Sequence, residues 1–350
     1  MSIKSELIDF LKTCSPCGNE KQARNWFTNK AKTFTKDCKS DVLGNVYCGI
    51  NTNSNFSILL EGHIDEIGGQ VLDFDDNGHI FFRQCGGLDN GSLIGAKVTF
   101  FEKGIDGVIG RKTLHTMTSE EEKEVLEQED VWIDCGFKNK KEAMKSLTVG
   151  DYFTFSPNVF EMRNDCICSK GIDDKIGAFI ALKVVEKLRN RNFKKFGVYA
   201  AGTVQEEEGG FGAMALVQKL KPTIVISLDV DFATDIPDAK KSKLGTIKLG
   251  GGLVYKNNCD VNLPLLKHSI KILEKNKIKF TLSASAWDGG GTNAGGIKYQ
   301  NGGIATLDIG IPNRYMHTQT EVISFNDIVS GINGLVKIIE SLEKNFNLIP

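Results

Sequence analysis

SKGIDDKIGAF, residues 169–179, runs a glycine into two adjacent acids and then into an apolar segment. Downstream, Ile176, Phe179, Ile180, Val184 and Leu188 recur near the 3.6-residue period, and LRNRN closes the run, so the spacing predicts an amphipathic helix. Asp174 suits the helix start, where a carboxylate can accept from free backbone N–H groups. Asp173 has no such local role. A buried acid needs a cation or donors, so its reading depends on what the rest of the chain brings to it.

Working outward, residues 162–350 alternate strand and helix repeatedly, the pattern of an α/β domain built on a doubly wound, mostly parallel sheet. Residues 1–66 read as two helices followed by the strands NVYCGI and FSILLEG, and join that same domain. Between them, 67–161 change character: short alternating strands with a hairpin signal, DDNG at 75–78, predict an inserted small β-rich domain.

Composition narrows the partners. With 350 residues, 41% hydrophobic content and a formal net charge of -1, the chain can bury a large core and has no dense basic stripe for nucleic acid. No run of about 18 apolar residues is present, and the opening MSIKSELIDFLKTC reads as an amphipathic helix instead of a signal peptide. A cytoplasmic protein that does not enter membranes is expected. Nine cysteines fit reduced thiols, and the Cys14/Cys17 and Cys166/Cys168 pairs lack the matched ligand sets of a zinc site. His79, His115 and His268 have no matching partners and read as structural or surface residues.

The remaining acids and histidines cluster at strand ends. FSILL leads into EGHIDEIG, placing His63 and Asp65 two residues apart, where Asp65 could accept a hydrogen bond from the imidazole. FGVYAAGTV delivers Glu206, Glu207 and Glu208 ahead of paired glycines; TIVISLDV carries Asp229; GIATLDIGI leads to His317. Loops at the carboxyl ends of a doubly wound sheet converge on one crevice. Two imidazoles and three carboxylates there suit a pair of divalent metals, with one carboxylate bridging and a hydrolytic water between. Asp173 then meets both ions while Asp174 caps the helix or braces the site.

The chain resembles the M42 metallo-aminopeptidases over nearly its whole length, through GHIDEIG (62–68), IDDKIG (172–177), QEEEG (205–209), LDVDFATDIP (228–237) and RYMHT (314–318), with GVIGRKTLH and VWIDCGF in the inserted segment. The resemblance implies a zinc-exopeptidase-like catalytic domain and removal of N-terminal residues from short peptides with a free N-terminus. It implies two divalent ions, Zn or Co, with Mn also accepting these donors. His63 and Asp229 would hold one ion, Glu207 and His317 the other, with Asp173 bridging; Glu206 would be the general base and Asp65 would sit behind His63. A cis peptide between Asp173 and Asp174 is implied too, as is a homo-oligomer, the family's inserted domain building dimers that close into a twelve-subunit shell. One departure is GGGTNAG, with Asn293 where the family commonly carries an acid, which alters charge near the substrate pocket. The competing readings are a related carboxypeptidase or deacylase, a glycosidase acting through the adjacent glutamates, and a non-catalytic metal-binding scaffold.

Overall fold

A computed structural model describes residues 2–284, 291–343 and 346–350. Two helices, α1 (Ile3–Leu11) and α2 (Lys21–Ala31), precede strands β1 (Cys38–Ser40), β2 (Val46–Ile50) and β3 (Ser57–His63). The chain then leaves the sheet to form β4 (Gly68–Phe74), β5 (Ile80–Cys85), helix α3 (Asn90–Leu93), β6 (Lys97–Phe100), β7 (Ile105–Arg111), β8 (Val131–Asp134), helix α4 (Lys140–Ser146) and β9 (Tyr152–Phe155). These six strands close into a barrel in the order β4-β5-β8-β7-β6-β9. Closure removes the unpaired edges that a small sheet would otherwise expose. The DDNG segment makes the β4–β5 hairpin turn, with the Asp75 Oδ1 accepting from Asn77 N and His79 N. Phe74, Phe82, Phe100, Phe153 and Phe155 fill the barrel interior, where Phe82 and Phe153 meet edge to face at 5.2 Å.

The chain returns through β10 (Phe160–Glu161) and β11 (Cys166–Ser169) to the long helix α5 (Ile172–Leu188). It continues as β12 (Gly197–Thr203), α6 (Phe211–Leu220), β13 (Ile224–Phe232), α7 (Lys241–Leu244), β14 (Leu253–Lys256), α8 (Leu263–Lys275) and β15 (Phe280–Ser283). Helix α9 (Asn293–Ile297), β16 (Ala305–Asn313), β17 (Glu321–Ser324) and α10 (Phe325–Ser341) complete the order. The eight-stranded sheet runs β1-β2-β12-β3-β13-β16-β14-β15. Its four central strands, β12, β3, β13 and β16, are parallel, and their apolar runs are buried on both faces as such strands require. The expected α/β class with a mostly parallel sheet is what the chain forms.

Two expectations are corrected. Helix α5 is not amphipathic: from Ile172 through Val185 every residue is buried. It lies on β3, β12 and β13 with α1, α2 and α10 over it, so even Lys175 and Lys183 are enclosed and paired, to Glu66 at 2.6 Å and to Glu6 at 2.9 Å. The strand ahead of Asp173 is not part of the large sheet either. β11 pairs with β10 and β17 in a separate antiparallel sheet, so the aspartate doublet reaches the crevice from the side. The GGGTNAG segment lies only partly within the described residues, from Gly291 onward.

Candidate metal centre

His63 is the last residue of β3, and its ring stands where the chain turns out of the sheet. The Nδ1–H donates to the Asp65 backbone carbonyl at 3.0 Å, which leaves Nε2 facing Asp173 Oδ1 at 3.1 Å. The carboxylate of Asp65 is 3.5 Å from Nδ1, so the carbonyl and not the carboxylate is the nearer partner. The reason is local: β3 ends at His63, so the period-two geometry that would align the two side chains no longer applies. Asp65 instead uses Oδ2 to accept from the Glu207 N–H at 3.1 Å, tying the β3 loop to the loop after β12.

Asp173 occupies the centre. Its Oδ1 faces His63, while its Oδ2 lies 3.3 Å from Nε2 of His317. His317 donates from Nδ1 to the Gly87 carbonyl at 2.6 Å, so both imidazoles have their tautomer fixed by a backbone acceptor and turn Nε2 inward. Glu207 Oε2 is 3.7 Å from His317 Nε2; Glu206 Oε2 and Asp229 Oδ1 are 3.8 and 4.0 Å from His63 Nε2. All five residues expected to hold metal therefore meet in one place, with Glu206 beside them. The peptide between Asp173 and Asp174 is cis. Asp174 is spent on bracing: Oδ1 accepts from Gly177 N and Oδ2 from His63 N, coupling the start of α5 to the end of β3.

The electrostatics are those of acids crowded with too few cations. Burial, followed by neighbouring carboxylates, pushes Glu207 and Asp229 well above the usual carboxylate range and Glu206 to about 7. The hydrogen bond to Asp173 leads in raising His317 to about 10. Burial lowers His63, but Asp65 and Asp173 outweigh it and lift the ring well above its ordinary value. For Asp173, burial acts upward and is overcome by hydrogen bonds from His317 and His63, which hold it low. Glu207 Oε1 is buried and accepts no hydrogen bond from any described residue. Imidazole nitrogens and carboxylate oxygens with spare lone pairs form the donor set that divalent ions take. Among the described residues, two groupings have ligand atoms close enough to share an ion: His63 with Asp173 and Glu207, and His63 with Asp174 and Asp229. Asp174 is the odd member, since both its oxygens already accept backbone N–H groups.

Several residues holding this centre escape motif reading. Glu321, at the start of β17, accepts from Ile172 N (2.7 Å) and Asp173 N (3.2 Å) on one oxygen and from His317 N (3.3 Å) on the other, so one carboxylate positions the backbone under two candidate ligands. Its signal was an acid opening the apolar strand EVIS. Glu66 is bound by Lys170 and Lys175, both at 2.6 Å and all fully enclosed, one lysine on each side of the doublet. Gly171 lets this ion trio approach: it has φ +59°, and a Cβ there would lie 2.0 Å from Glu66 Oε2. The barrel contributes too, through the Gly87 carbonyl and through Gly86, whose N–H donates to Glu208 at 3.1 Å. Asn293 donates to the buried Glu61 at 2.9 Å. An acid there would set two carboxylates against each other; the amide supplies a neutral donor. Cys14, Cys17, Cys166 and Cys168 are free thiols apart from this centre's candidate ligands. His79 pairs with Asp75 at 2.9 Å, and His268 with Ser341 at 2.7 Å.

A largely enclosed cluster of two imidazoles and four carboxylates at the carboxyl edge of a parallel sheet, one aspartate entering from the side, is the frame of a metal-dependent exopeptidase. The M42 glutamyl aminopeptidase family matches residues 44–333, and the chain belongs to that family. A protein of Acetivibrio thermocellus named as an aminopeptidase is 30% identical over 92% of this chain and 94% of its own length. The TET aminopeptidase of the marine sediment archaeon Thaumarchaeota archaeon SCGC AB-539-E09 superposes with a TM-score of 0.92 at 28% identity, covering 97% of this chain and 96% of the other. The Pyrococcus horikoshii TET1 peptidase, which can assemble into a tetrahedron or a large octahedral shell, superposes at 0.84 with 28% identity over 99% and 100% of the two chains. With the family goes the reaction, hydrolysis of peptides from the N-terminal end. Among the described residues, no helix is long and apolar enough to cross a membrane.

Proposed function

We propose that the chain removes N-terminal residues from short peptides by means of two divalent ions, Zn or Co. The observation that carries this reading is the placement of one carboxylate, Asp173, with an oxygen toward each of two imidazoles that come from different loops. His63 and Asp229 would hold one ion, Glu207 and His317 the other, and Asp173 both. Such ions supply Lewis-acid activation of the scissile carbonyl and of the attacking water. Glu206 takes the proton from that water and hands it to the departing amine, the work of a general base that then acts as a general acid. Asp65, through its own carbonyl and the Glu207 N–H, fixes the orientation of one ligand on each side.

The cavity beside the cluster has a volume of about 560 Å³ and is lined by Asp173, Glu206, Glu207, Asp229 and Asp231, with Lys256 the one lysine among the described residues. An acid-rich lining suits a free α-ammonium better than the α-carboxylate that a carboxypeptidase must bind. The exposed apolar side chains of the barrel wall, Leu72, Phe81, Val108 and Leu114, support a homo-oligomer in which copies meet through this wall, a dodecamer being the form we favour. Free thiols at all nine cysteines fit a cytoplasmic setting.

Elemental analysis and peptide assays test the reading together. About two divalent ions per chain are expected, with activity lost on chelation and restored by Co or Zn. Peptides with an acetylated N-terminus are expected to be cut far more slowly than free ones. Activity that survives complete chelation, or equal rates on both peptide forms, overturns it.

A further inference from the structure

Beyond the residues assigned to metal and proton transfer, the same cavity carries a second set of charges. β13 presents Asp229 and then, two residues on and on the same face, Asp231. Asp231 is only 7% exposed. Asp231 lines the cavity; its Oδ1 accepts from the Phe232 N–H at 2.9 Å, whereas its Oδ2, enclosed against β16, accepts no hydrogen bond from any described residue. Gly310 on the neighbouring β16 makes room for it: a Cβ there would lie 2.5 Å from that of Asp231. Across β16, Lys256 reaches into the cavity from β14, but its ammonium is already paired with Asp308 at 3.2 Å. Asp308 also faces the Asn258 amide at 3.4 Å. Among the described residues two carboxylates thus stand beside one lysine, and the 3.2 Å ion pair is made with Asp308.

We propose that Asp231, with the Lys256–Asp308 pair behind it, is a side-chain subsite that selects peptides beginning with a basic residue, lysine or arginine. The inference rests on the aminopeptidase reading above. A long cationic side chain whose α-amine sits by the metal cluster reaches the Asp231 carboxylate at the cavity wall and balances its charge. An acidic side chain meets Asp231 as a like charge and finds Lys256 engaged by Asp308. An apolar side chain of equal length fills the space but leaves a buried acceptor unpartnered, which costs more than the missing bond would contribute. Met214 and Met316 line the same cavity and offer apolar surface that a lysine or arginine stem packs against.

The test compares kcat/KM on the p-nitroanilides of lysine, arginine, norleucine and glutamate, using the metal-loaded full chain and its Asp231→Asn variant with metal content checked. Norleucine matches the lysine stem without its charge. The wild-type protein should prefer lysine over norleucine by about 10- to 100-fold, the range of one charge-assisted hydrogen bond, with glutamate slowest. Asp231→Asn should reduce the lysine-to-norleucine ratio by about tenfold or more. Turnover without a basic preference, or an unaltered ratio in the variant, overturns the subsite alone. No turnover of any anilide by metal-loaded protein overturns the aminopeptidase reading and the subsite with it.

Discussion

The barrel and the carboxyl edge of the large sheet both enclose their inward side chains, yet they enclose opposite chemistry. Inside the barrel sit Phe82, Phe100, Phe153 and Ile133, which lose nothing by leaving water and need no partner from outside the chain. At the sheet edge sit His63, Asp173, Glu207 and Asp229, their side chains nearly as hidden but held, among the described residues, by one another, by backbone groups such as the Asp65 carbonyl and by Glu321. Burial of the first kind stabilises the fold. Burial of the second kind opposes it and becomes tolerable when cations join the cluster. The two regions touch at Gly86 and Gly87, where the barrel chain lends a carbonyl to His317.

The contrast is sharpest in the two adjacent glutamates. Glu206→Gln should lower kcat by about 10²- to 10⁴-fold while the protein keeps its metal, because only a proton acceptor is removed. Glu207→Gln should lose metal and recover part of its activity as the ion concentration is raised. Measuring kcat and metal content across a metal titration separates the two, and matching responses would merge roles that are kept apart here.

Phe153→Ala probes the other side. Its ring meets Phe82 and Phe100 at 5.2 and 5.6 Å, so its removal should cost about 3–5 kcal/mol of stability in denaturant unfolding. Turnover per folded molecule should stay within about twofold. A variant that is fully folded yet loses metal would mean that the two kinds of burial are coupled through the barrel interior.

A smaller effect is expected where the regions meet. Gly86 has φ +78°, and a methyl group added there lies 2.8 Å from Glu207 Oε2. Gly86→Ala should therefore cost about tenfold in kcat/KM by displacing that carboxylate, with a penalty on the order of 1 kcal/mol in stability from the strained backbone. Unchanged kinetics would show that the barrel loop only borders the cluster.

A change read in stability alone is expected from Asn293→Asp, which sets a second carboxylate against Glu61. Loss of the 2.9 Å amide bond and the need for the two acids to share a proton should cost on the order of 1–2 kcal/mol, read as a lowered Tm. A raised Tm would show that the sheet edge has room for one more acid.

Legibility followed chain distance. The DDNG hairpin, the strand FSILLEG and the alternation of residues 162–350 are local patterns, and each became the element that its periodicity predicts. The candidate ligands were legible because acids and histidines at the ends of apolar strands have few other reasons to be there. Helix α5 was misjudged because periodicity reports how many faces are apolar, not how many layers cover them; Lys175 and Lys183 look like solvent-facing positions until Glu66 and Glu6 arrive from more than a hundred residues away.

The sequence by itself determined the α/β class, the insertion of a β-rich unit and the placing of acids and histidines at the ends of apolar strands, since strand and helix periods and the chemistry of side chains are properties of short segments. Only the tertiary structure decided that Asp173 faces two imidazoles at once, that Glu321 holds the backbone beneath Asp173 and His317, that Asp174 braces β3, and that Asp231 lines the cavity beside the Lys256–Asp308 pair. Most of those are distances of a few ångströms between groups that the chain separates by tens to hundreds of residues. They are fixed by the parallel register of β3, β13 and β16 and by the packing of α5 against them, and no local pattern encodes either.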